Sequence, residues 1–158
     1  MTFGDVLLPE FIKVDLKAQE KNEAFEELIT CYCKADNSKA YDEILNAILE
    51  REAKMSTGIY KGIAIPHGKT NAVKTLRIVL GISQKGVNYD ALDGEPVHLL
   101  FMIIAPPDDP ESHLRLLKRL AGLIETPNFQ LELQAQTDPQ SAYKVIYKFE
   151  QMLLAKSA

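Results

Sequence analysis

Val97 to Ala105 reads Val-His-Leu-Leu-Phe-Met-Ile-Ile-Ala, apolar throughout except for one histidine. The run is too short to cross a membrane and long enough for a full strand, and strands of this kind are buried on both faces. A chain that holds such a strand must supply covering layers on either side of its sheet.

Helical periodicity is found both before and after the run, as that requirement demands. From Glu20 to about Lys34, apolar residues recur at Ala24, Phe25, Leu28, Ile29 and Tyr32. A second helix, with Ser38 as candidate cap, places Tyr41, Ile44, Leu45, Ile48 and Leu49 inward. Its pattern runs out in Glu50-Arg51-Glu52, so Arg51 is expected at or just beyond the helix end. Asp109-Pro110 is a cap followed by a first-turn proline, and the stripe Leu114, Leu117, Leu120, Ala121 and Ile124 puts His113 on or beside an inner face. A short helical piece covers Phe129 to Ala135. The same cap-and-proline signal at Asp138-Pro139 opens a last helix with Ala142, Val145, Ile146, Phe149 and Leu153 inward.

Further strands are expected at Phe11–Leu16 and Arg77–Ile82, the second turning through Gln84-Lys85-Gly86 into Val87-Asn88-Tyr89. Between Ser56 and Asn71 only short extended pieces among glycines are expected. The architecture is therefore an α/β three-layer α/β/α sandwich with a mixed sheet of about four to five strands. At 158 residues with 46% hydrophobic content, one domain over 1–158 is expected.

Net charge of −4 and the lack of clustered Lys and Arg argue against nucleic acid as a partner. No apolar run reaches membrane-spanning length and the N-terminus has no signal-peptide pattern, so a cytoplasmic protein without membrane insertion is expected. Cys31 and Cys33 fit neither a C-x-x-C redox site nor a zinc knuckle, and read as reduced thiols with at least one in the core.

The chemistry centres on Gly62-Ile63-Ala64-Ile65-Pro66-His67-Gly68-Lys69. An extended segment stops at a proline that cannot donate to a ladder, and presents an imidazole between glycines that permit close approach or positive φ. His98, inside the apolar strand, reads as a structural residue, and His113 taken alone could simply bond nearby backbone. A presented histidine can be a metal ligand, a general base or a nucleophile. Zinc on His67, His98 and His113 lacks ligand spacing, and a hydrolase would need a G-x-S-x-G elbow that is absent. A nucleophilic imidazole can accept a phosphoryl group directly, since the attacking nitrogen has no proton to lose. Arg51 offers a fork for phosphate oxygens, against a plainer reading as an exposed charge between two glutamates.

Arg51-Glu52, Ser56-Thr57-Gly58-Ile59 and the Ala-Ile-Pro-His-Gly core resemble the phosphohistidine signature of bacterial phosphotransferase system (PTS) enzyme IIA domains of the fructose/mannitol type. The likeness continues through Ala91 to Val97 and His113 to Leu117. It implies phosphorylation of His67 on Nε2 by HPr or an HPr-like carrier. It also implies His113 and Arg51 as companions in the site, and no metal or organic cofactor. The partner after HPr would be a IIB domain in sugar uptake, or regulatory target proteins in the nitrogen-regulatory branch. A chain without an attached IIB, and Gly68-Lys69 after the histidine, favour the regulatory branch. Tyr60 departs from the Gly or Ala usual there and is expected to bear on partner recognition.

Overall fold

The computed structural model describes residues 2–157, without the side chains of Tyr60 and Ser157. The expectation attached to Tyr60 therefore lies outside the described side chains.

The sheet is built outward from the apolar run. That run forms β6 (Val97–Ala105), in which every residue but His98 is buried. On one side it pairs antiparallel with β5 (Arg77–Val87). On the other, two short strands share its edge in tandem, both parallel to it. β3 (Ile63–Ala64) pairs with Leu99 and Leu100, and β4 (His67–Lys69) pairs with Ile103 to Ala105. Beyond them lie β1 (Ile12–Lys13), parallel to β5, and β2 (Gly58–Tyr60), antiparallel to β3. Among the described residues the mixed sheet thus has six strands rather than four to five. The added ones are two- and three-residue pieces that leave no alternating pattern for a sequence to display.

Helices cover both faces in two groups. α2 (Lys21–Ala35) and α3 (Tyr41–Lys54) pack on each other, the first against β5 and the second against β4. α4 (Pro110–Glu125), α5 (Phe129–Gln134) and α6 (Pro139–Ser157) form the other group, with α5 against β5 and β6. A four-residue α1 (Phe3–Val6), ahead of all these, sits on α6 with Phe3 fully buried. Its anchor is the buried Glu150 carboxylate, which accepts the Phe3 N–H at 2.7 Å and faces Arg119 Nη1 at 3.4 Å.

Several local expectations shift. The first strand is shorter than 11–16 because Pro9 opens a 3-10 turn over Pro9–Phe11, which takes Phe11 out of the ladder while keeping it buried. α3 is capped at Ala40, with Ser38 Oγ accepting the Ala40 N–H, and it runs to Lys54, so Arg51 and Glu52 lie inside its last turns. β5 does not end at Ile82. Its pairing slips there and resumes at Val87 opposite Val97, with Gly86 at φ +91°. The inner stripe of α4 is His113, Leu116, Leu120 and Leu123, one residue out of phase with the expected one. Both cysteines are free and half-buried against the core rather than inside it.

The caps at Asp109 and Asp138 stand as read. Asp109 Oδ1 accepts the Ser112 N–H at 3.2 Å, and Asp138 Oδ1 accepts the Ser141 N–H at 2.9 Å.

Candidate active site

The ends of β4 and β6 meet the last turns of α3 and the first turns of α4, and His67, Arg51 and His113 come together there. The backbone leading in is constrained at each step. Lys61 (φ +50°) and Gly62 (φ +84°) turn the chain between β2 and β3. Pro66 biases Ile65 toward an extended conformation, and the Pro66 carbonyl then accepts the Ile103 N–H at 2.9 Å, seating β4 on β6. Gly68 admits α3, since a Cβ there would stand 3.0 Å from the Ala47 backbone and from Ile48 N. Of the two glycines, Gly62 supplies a positive φ and Gly68 close approach.

His67 is half-buried, and its Nδ1 lies 2.9 Å from the Ile65 carbonyl oxygen. A carbonyl only accepts, so the neutral ring carries its proton on Nδ1 and leaves a lone pair on Nε2. Burial lowers the pKa of His67, and the charges of Arg51 and Lys69 push the same way. The Ile65 hydrogen bond and Glu52 oppose them. At neutral pH the ring is therefore uncharged.

His113 faces it, with ring centroids 5.5 Å apart in an edge-on arrangement at 65°. The residue is only 6% exposed and its buried Nδ1 has no hydrogen-bond partner. Burial, then the nearby His67 and Lys69, push its pKa down to about 4. Arg51 is half-buried and donates from Nη1 to the Met55 carbonyl at 2.9 Å, which holds the guanidinium at the C-terminal end of α3. Arg51 is thus a tethered cation whose field reaches His67.

His98 takes no part. Its Nδ1 lies 2.8 Å from the Ser83 carbonyl, at the other end of β6. Among the described residues no group of three or more His, Cys, Asp or Glu side chains could hold a metal ion.

Sequence reasoning missed the support beneath the site. Glu52, which stands in a charged cluster and in the family-like signature but was given no role, is 8% exposed. Its carboxylate accepts from Thr57 N at 2.8 Å, Thr57 Oγ1 at 2.6 Å, Lys21 Nζ at 3.2 Å and Tyr89 O–H at 3.3 Å. Those partners lie as far as 37 positions away, so no local pattern announces them. Around the site several apolar side chains remain in solvent. Ile59 is 43% exposed and Leu114, beside His113, 54%, while Ile65 is half-buried. Among the described residues no helix is long and apolar enough to cross a membrane.

Known proteins resemble this chain along nearly all its length. The fructose-specific EIIABC component of the PTS from Bacillus subtilis (strain 168) is 40% identical over 84% of this chain, which spans only 21% of that larger protein. A nitrogen regulatory protein from Bradyrhizobium diazoefficiens is 31% identical over 92% of this chain and 95% of its own length. Among solved structures, the nitrogen regulatory protein IIA-Ntr from Neisseria meningitidis superimposes with a TM-score of 0.83 at 27% identity, over 90% of this chain and 97% of that one. The family described as "Phosphoenolpyruvate-dependent sugar phosphotransferase system, EIIA 2" matches residues 5–149, and to that family the chain belongs.

Proposed function

We propose that this single domain, residues 1–158, is a cytoplasmic phosphoryl carrier that accepts its phosphoryl group on Nε2 of His67. Domains of the family are phosphotransferases that carry phosphoryl groups on histidine. The observation that carries the assignment to His67 is its hydrogen bond to the Ile65 carbonyl, which leaves Nε2 as the nitrogen with a free pair.

The step runs as an in-line displacement. The Nε2 pair forms the new N–P bond, the N–P bond of the donor's phosphohistidine breaks, and that bonding pair returns to the donor's ring nitrogen. No proton need leave His67, whose Nδ1–H stays with Ile65. Arg51 and Lys69 supply positive charge for the phosphoryl oxygens, and a neutral His113 offers its single N–H. The transfer requires neither metal nor organic cofactor. The exposed Ile59 and the neighbouring Ile65 give the donor, HPr or an HPr-like protein, an apolar collar on which to dock.

Within the family the nitrogen-regulatory reading, with phosphorylation state read by target proteins, is supported by full-length likeness to a nitrogen regulatory protein and by the superposition on IIA-Ntr. The sugar reading, with transfer onward to a IIB domain, is favoured by the higher identity to a fructose-specific component. Capture from lysate by phosphorylated and unphosphorylated protein separates the two. Recovery of a IIB domain selects the second, and recovery of regulatory proteins the first. The site itself is tested by labelling from phosphoenolpyruvate with enzyme I and HPr. His67→Ala is expected to abolish labelling, and retained labelling overturns the assignment.

A further inference from the structure

We infer that Glu52 is a positioning residue for the phosphoryl acceptor, acting through a four-residue chain of hydrogen bonds, Glu52–Thr57–Ile65–His67, that fixes which imidazole nitrogen attacks. The inference rests on the assignment of His67 proposed above.

Each link is direct. The Glu52 carboxylate holds Thr57 twice, by its backbone N–H at 2.8 Å and its hydroxyl at 2.6 Å. The Thr57 carbonyl accepts the Ile65 N–H at 3.0 Å. The Ile65 carbonyl accepts from His67 Nδ1 at 2.9 Å. Ile65 is thus held at its N–H by Thr57 and confined on its C-terminal side by Pro66, so its carbonyl has one direction in which to point.

The anchor is over-determined. Lys21 Nζ, 3.2 Å from Oε2, balances the buried charge, and the Tyr89 hydroxyl lies 2.6 Å from Thr57 Oγ1 and 3.3 Å from Oε1. Lys21 also sits 4.9 Å above the Tyr89 ring. Buried networks of this kind are costly unless complete, and complete ones specify a single geometry. The same carboxylate favours positive charge on His67, which the ring acquires when Nε2 takes the phosphoryl group and Nδ1 keeps its proton.

The variants are Glu52→Gln, which removes the charge and keeps one acceptor, and Lys21→Met/Glu52→Ala, which removes the anchor without stranding the lysine. Nitrogen-15 spectra of the histidine rings read the tautomer without any phosphorylation. His98 serves as the internal control, since it makes the same bond to Ser83, outside the chain.

In the wild type His67 is expected as Nδ1–H, with scalar couplings across the hydrogen bonds from Ile65 N to Thr57 C′ and from His67 Nδ1 to Ile65 C′. In the double variant the Nε2–H form should become comparably populated while His98 is unchanged. Phosphoryl acceptance should fall about 10- to 100-fold in kcat at unchanged KM for the donor, with Glu52→Gln between. A folded double variant that keeps the Nδ1–H form and the wild-type rate overturns the inference. So does the absence of either coupling in the wild type, which needs no variant to fold. Wild-type protein that shows the tautomer and couplings but takes no label at His67 overturns the assignment of the acceptor and leaves the hydrogen-bond chain standing.

Discussion

His67 and His98 make nearly the same hydrogen bond toward opposite ends of β6, His98 on the strand itself and His67 beside Ile103 on the neighbouring β4. Each is half-buried, and each has Nδ1 under 3 Å from a backbone carbonyl, Ile65 in one case and Ser83 in the other. Each is therefore held in one tautomer with Nε2 left over. What differs is what surrounds the free nitrogen. Beside His98 Nε2 is the turn at Gly86, so close that a Cβ there would stand 3.2 Å away. Beside His67 are a second imidazole, the Arg51 guanidinium and the Lys69 ammonium. A fixed tautomer is a common structural device. On the function proposed above, it serves a phosphoryl acceptor where positive charge has been arranged around the ring, as it is at the start of β4, beside the C-terminal half of β6.

The contrast can be broken from the cationic side. Arg51→Met removes charge and fork together and should slow phosphoryl acceptance on the order of 10²- to 10³-fold, roughly 3 to 4 kcal/mol of transition-state stabilisation. Single-turnover transfer from phosphorylated HPr measures it, and an unaffected rate would reduce Arg51 to an exposed charge at a helix end.

A somewhat smaller effect should come from the imidazole His98 lacks. The unfolded chain takes a proton on residue 113 near pH 6.5, and the folded one refuses it until about pH 4. The stability this contributes is complete above pH 6.5 and is lost as pH falls toward 4, by at most ~3 kcal/mol. Urea midpoints across that range should fall less steeply in His113→Gln than in the wild type, and parallel curves would contradict the buried, neutral ring. Because His113 is enclosed, its truncation to Ala should also lower stability itself, contrary to what an exposed helix-start histidine would do.

The smallest effect sharpens the other half of the comparison. His98→Leu leaves the Ser83 carbonyl without its donor and should cost about 1 kcal/mol of stability. Labelling of His67 should be unchanged, and any loss of labelling would mean that the two ends of β6 are coupled.

How much of this was readable in advance follows the range of each interaction. β6 and the caps of α4 and α6 are written in a few consecutive residues, and they stand where the sequence puts them. The inner stripe of α4 was misphased because leucines occupy both faces, and Leu114, a natural core residue, lies in solvent beside the buried His113. The partnership of His67, His113 and Arg51 was legible only as a likeness to a family signature, since residues 46 and 62 positions from one another along the chain share no local code. Glu52 stands in that same signature, but its contacts were hidden for the same reason. A lone glutamate in a charged cluster is unremarkable until a lysine, a threonine and a tyrosine from three separate segments close around it.

The close approach at Gly68 sets a ruler between strand and helix. α3 rests its Ala47 on that bare backbone, and one turn further along the same face comes Arg51, with Glu52 next to it. A single methyl at 68 would press on Ala47 and Ile48 at 3.0 Å and have to push that turn of α3 off the strand by a few tenths of an ångström, one turn before clamp and anchor. The alignment of imidazole, cation and carboxylate is thus gauged from one datum, a side chain that is not there.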